Sequence, residues 1–79
     1  MEQPFESPDT TILIDIIRMP MPFGKYKGRL IKDLPVYYLE WLSSQGFRQD
    51  RLGQILSTAF IIKTNGLDHL LNDINKMIP

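Results

Sequence analysis

Residues 21–42, MPFGKYKGRLIKDLPVYYLEWL, decide how this chain is read. Phe23-Gly24, Lys25-Tyr26-Lys27-Gly28 and Arg29-Leu30-Ile31 read together as a small β-hairpin: two short extended arms around a turn with glycine at its end. A two-stranded ribbon is not stable by itself, so it is expected to pack on helices. On an extended arm, Lys25, Lys27 and Arg29 are spaced by two and point to one face, while Tyr26 and Leu30 point to the other. The second half of the stretch reads as a helix. Asp33 is the expected N-cap, with Pro35 in the first turn. Leu34, Tyr38, Trp41 and Leu42 fall at i, i+4, i+7 and i+8, which makes one apolar stripe for a core. Gly46 is placed to end that helix.

Toward the N-terminus, Met19-Pro20-Met21-Pro22 excludes a helix interior and favours extended chain. Before it, Thr10 to Met19 reads as a short helix started by Ser7-Pro8-Asp9, with Leu13, Ile16 and Ile17 on one face. The β-branched residues of that segment also suit a strand. Residues 1–7 read as a loose tail, and residues 8–79 as one small domain.

Toward the C-terminus, Asp50 caps a helix running to about Thr64, in which Leu52, Ile55, Leu56, Ala59 and Phe60 follow helical spacing. Gly53 inside it costs helix stability and therefore signals close packing. Ile61 and Ile62 lie off the stripe; they either complete the core against the N-terminal helix or form a homodimer patch. Asn65-Gly66 breaks the chain, and Leu67, Leu70, Leu71 and Ile74 stripe a last short helix. The expected fold is therefore α+β and mostly helical: a short N-terminal helix, a small β-hairpin, then three helices.

The chemistry available to such a chain is narrow. Its 79 residues are 43% hydrophobic and include no Cys, so there is a core but no disulfide or thiolate site. His69 is the only histidine and reads as a surface helix residue, without the partners that catalysis or metal binding requires. Asp9 and Asp15 are six residues apart and Asp68 and Asp73 five apart, spacings that do not put two carboxylates on one helix face. Gly24 and Gly28 are four residues apart but lack the Gly-Lys-Ser/Thr of a phosphate-binding loop. No enzyme, metal or cofactor is expected. The acidic N-terminus has no signal-peptide pattern, and the apolar run Ile12 to Ile17 is broken by Asp15, so a cytoplasmic protein without membrane contact is the expectation.

The net charge is zero, yet it is segregated. Residues 18–32 carry Arg18, Lys25, Lys27, Arg29 and Lys32 and no acid. Lys25, Lys27 and Arg29 are the candidate nucleic-acid-binding residues, since several cations on one face beside aromatics suit phosphate contact. Tyr37, off the core stripe, and Phe23 are candidates for stacking on bases. The same three cations also fit an ordinary solvated turn.

MPFGKYKGRLIKDLPVYYLEWL, with Gly46-Phe47, Leu52-Gly53 and Lys63-Thr64-Asn65-Gly66-Leu67, resembles a family of short bacterial proteins of unknown function labelled "putative quorum-sensing-regulated virulence factor". The resemblance spans about residues 8–72. The Phe-Gly-Lys-Tyr-Lys-Gly…Tyr-Leu-x-Trp pattern is also similar to a module that follows the nuclease domain of some exonuclease X-type enzymes. That likeness implies an accessory role near nucleic acid, with nucleic acid or a nucleic-acid-processing protein as partner, and no nuclease activity here. The family pattern carries Pro after the Gly-Phe pair, where this chain has Arg48; Arg48 and Arg51 either extend the basic surface or alter the loop entry. The functional expectation is a non-enzymatic binding module that contacts nucleic acid through the basic hairpin, the alternative being a protein-interaction or self-associating domain.

Overall fold

The helices pack in series. The computed structural model describes residues 10–78; the expected tail and the Ser7-Pro8-Asp9 helix start lie outside them. Helix α1 spans Thr10–Arg18, α2 Val36–Gln45, α3 Arg51–Thr64 and α4 Asp68–Met77, with a single 3₁₀ turn at Ile31–Asp33. Helix α2 packs on α3, α3 on α1 and α1 on α4, and α1 also packs on the 3₁₀ turn.

Each helix contributes what its apolar spacing offers. Ile16 and Ile17 come from α1, Leu39 from α2, Ile55, Leu56, Ala59 and Ile62 from α3, and Leu71 from α4. Met21, Ile31 and Leu34 enter from the connecting segment. Burying an aliphatic side chain of this size contributes about 1.5–3 kcal/mol each. Arg51 then ties α3 to α1, its guanidinium donating to Thr11 Oγ1 at 2.9 Å and to Asp15 Oδ2 at 3.0 Å.

The α+β expectation is overturned: among the described residues there are four α-helices and no β-strand. The segment read as a hairpin holds one isolated antiparallel bridge, Pro20 to Leu30. Met21 N–H donates to the Arg29 carbonyl, Gly28 N–H to the Met21 carbonyl and Ile31 N–H to the Met19 carbonyl. The prolines are not what stops the ladder, since Met19 and Met21 make its bonds and Pro20 and Pro22 fall at the alternate positions. It stops because the second arm spends its Lys27 and Arg29 N–H groups within its own turns. Beyond the bridge the chain curls through two tight turns, Lys27 N–H donating to Gly24 O and Arg29 N–H to Tyr26 O. The fold is all-α.

Helix α2 also starts later than expected. Asp33 lies in the 3₁₀ turn and does not cap α2; its Oδ1 instead accepts from Lys32 Nζ at 3.1 Å. Pro35 disfavours helical backbone in the residue before it, and Leu34 is extended at ψ 137°. Pro35 itself becomes the N-terminal boundary, its carbonyl accepting from the Tyr38 and Leu39 N–H groups. Leu34 is buried but outside the helix, so the stripe drawn from it was misplaced by part of a turn. Leu39 faces the core and Trp41 does not, standing 55% exposed.

Helix α3 matches its sequence closely. Asp50 caps it, Oδ1 accepting from Gly53 N–H at 3.0 Å. Gly53 meets the preceding loop so tightly that a Cβ there would stand 1.8 Å from the Arg48 carbonyl oxygen. Ile61 and Ile62 divide: Ile62 is in the core, whereas Ile61 is exposed. Among the described residues no helix is long and apolar enough to cross a membrane.

Candidate functional site

The segment between α1 and α2 folds over one flank of α2, and the fold of that segment builds the site. Gly24, at φ +83°, lets the chain turn directly above Tyr38, whose hydroxyl would lie 2.8 Å from any Cβ at that position. Tyr26 is thereby pressed inward. Its ring meets Tyr38 edge-on at 4.8 Å between centroids and Tyr37 at 6.5 Å, and the Tyr26 and Tyr37 hydroxyls are hydrogen bonded to each other. That bond, reinforced by partial desolvation, pushes the Tyr26 hydroxyl above the ordinary tyrosine pKa; Arg29 pulls the other way.

Lys25, Lys27 and Arg29 are all exposed, but not as a row on an extended arm. Lys25 Nζ lies 5.5 Å from the Tyr26 ring centroid and Arg29 Cζ 5.3 Å from it, so these two cations gather on one aromatic ring. Lys27 sits in the turn between them. No carboxylate among the described residues pairs with any of the three, whereas Lys32, Arg48, Arg51 and Lys63 each have one: Asp33, Asp50, Asp15 and Asp68. Arg48 and Arg51 therefore add little free charge. Asp50 is held below the usual carboxylate range, first by the Gly53 N–H and then by Arg48.

Beside the cations runs an open groove of about 840 Å³. Phe23, Gly24, Lys25, Tyr37, Tyr38, Trp41, Leu42 and Gln45 line it. Tyr37, predicted from sequence as a surface contact, is 59% exposed. Trp41 lies nearly parallel to Tyr38, with an interplanar angle of 22° and centroids 6.0 Å apart. The Arg48 guanidinium covers Phe23 at 5.7 Å. Sequence reasoning missed Trp41 by assigning it to the core stripe; counting α2 from Pro35 instead of Leu34 would have put it on the flank with Tyr37. Among the described residues no three His, Cys, Asp or Glu side chains converge as a metal site would require.

Residues 9–74 match the model of a family described as "putative quorum-sensing-regulated virulence factor". The chain belongs to that family. The match takes in the whole groove and the cation-bearing turns, so the site is built from family sequence and not from an appendage. The description names a mode of regulation and no physical activity. The chain is also similar to "Uncharacterized protein YpeB" of Escherichia coli K12, with 42% identity over 65 residues that cover 81% of this chain and 90% of that protein. The protein of the same name from Escherichia coli O157:H7 matches to the same extent. No solved structure gives a significant match.

Proposed function

We propose that this domain is a non-enzymatic module that binds nucleic acid, with Lys25, Lys27 and Arg29 contacting backbone phosphates. One observation carries the proposal: three exposed cations cluster on one pair of turns with no carboxylate partner among the described residues, in a chain where Lys32, Arg48, Arg51 and Lys63 each have one. A cation without an acidic partner is available to neutralise a backbone phosphate, which releases cations condensed on the nucleic acid, and that release drives association. The likeness of the motif to the exonuclease X-type accessory module points the same way. Fluorescence anisotropy of labelled oligonucleotides across a salt series is the test. Affinity should fall as salt rises, with a log–log slope of roughly −2 to −3 if all three cations engage. Replacing the three with Glu should abolish binding. Unchanged affinity in that variant, or no binding at low salt, sinks the proposal.

A second reading, self-association, is favoured by a different observation. At the α3–α4 corner Ile61, Leu67 and Leu70 are 57%, 37% and 42% exposed. A dimer that resists dilution in light scattering, together with no oligonucleotide binding, selects this reading.

A further inference from the structure

The groove wall is built of flat rings, and the one charged residue among those lining it is Lys25. Phe23, Tyr37 and Trp41 all present exposed aromatic surface. Lys25 lines the same groove, no acid does, and Arg29 stands nearby over Tyr26. A ligand complementary to this surface joins planar apolar faces to negative charge at close spacing. Nucleic acid offers both together only when its bases are unpaired, because in a duplex the base faces are stacked on one another and side chains reach only edges and backbone.

We infer that the groove takes unpaired bases, so that the ligand class is single-stranded nucleic acid, with Trp41 as the principal stacking platform and Lys25 and Arg29 on the adjoining phosphates. This rests on the nucleic-acid reading above and narrows it. Trp41 suits the role because Tyr38 backs it at near-parallel orientation and keeps the indole from folding down onto the protein. Aromatic side chains accept any base face, so little sequence preference accompanies the binding. Charge complementarity selects this occupant over an apolar peptide helix, which would leave the unpaired cations without partners.

The experiment compares three labelled ligands of equal length on the wild-type protein by anisotropy: an oligothymidylate, an abasic strand of the same backbone, and a duplex. The oligothymidylate should bind most tightly, and the abasic strand roughly 5- to 150-fold more weakly, the range that the loss of one or more stacked bases produces. Trp41→Ala should weaken the oligothymidylate by a similar factor while leaving the salt slope unchanged, and circular dichroism checks that the variant stays folded. Abasic strand or duplex binding as well as the oligothymidylate overturns the inference but spares the phosphate reading. An apolar peptide that competes for the groove without displacing the strand from the cations does likewise. Loss of all oligonucleotide binding at low salt overturns both.

Discussion

The two sides of α2 make opposite use of apolar residues. Toward α3, Leu39 is fully buried among Ile16, Ile55 and Leu56, all branched aliphatics that fill space from every direction. On the other flank, Tyr37 and Trp41 are more than half exposed beside Phe23. Among the described residues only one aromatic, Tyr38, is counted in the buried core, and it lies at the boundary between the two sides. A domain this short has little apolar surface to spare. With its only tryptophan left half in water, the ring flank, like the exposed Ile61, Leu67 and Leu70, has a composition that core packing does not explain.

The sharpest way to break that comparison is to truncate one residue on each side. Leu39→Ala should cost about 2–5 kcal/mol in urea denaturation, the usual range for a buried leucine. Trp41→Ala should cost less than that, because more than half of this residue is already in water. Equal losses would show that the indole is scaffold after all. Gly53→Ala comes next at about 3 kcal/mol, since the new methyl meets a backbone carbonyl and not a flexible chain end. Thermal melting of that variant checks whether the junction of α3 with the loop before it is as rigid as the core.

Gly24→Ala should cost about 1–2 kcal/mol, because a side chain at φ +83° is strained and its Cβ meets the Tyr38 hydroxyl. It should also weaken oligonucleotide binding, as the turn that sets the groove edge is displaced. The smallest effect belongs to Asp50. Its carboxyl is held below 3.8 in the folded state, so its stabilising effect is complete above that value and is lost as pH falls through the lower folded pKa. Asp50→Asn keeps a capping oxygen without the titration. Its denaturation midpoint should therefore depend less on pH in the acid range than that of the wild type.

The helices were mostly legible in the sequence, and α3 most of all. Its cap, its stripe and its interior glycine each have a local physical cause, so residue identity and spacing were enough. The segment from Met19 to Pro35 was not. Alternation of Lys25, Lys27 and Arg29 suits a strand, but Gly24 and Gly28 at positive φ turn the chain within that stretch, and the Lys27 and Arg29 N–H groups bond to Gly24 and Tyr26 instead of to a partner arm. The start of α2 failed for another reason, because Pro35 acts on Leu34 and shifts the whole stripe. The candidate cations were found as residues, while their gathering on Tyr26 and the groove beside them depend on long-range contacts that no local pattern carries.

One consequence of the Trp41 position is optical. The chain has a single tryptophan, and it sits half in water on the groove wall, away from the hydrophobic interior. Its emission should therefore shift less on unfolding than that of a fully buried indole, and strongly when something flat settles against it. For this molecule intrinsic fluorescence is a gauge of groove occupancy, and melting is better followed through the helical signal of the backbone.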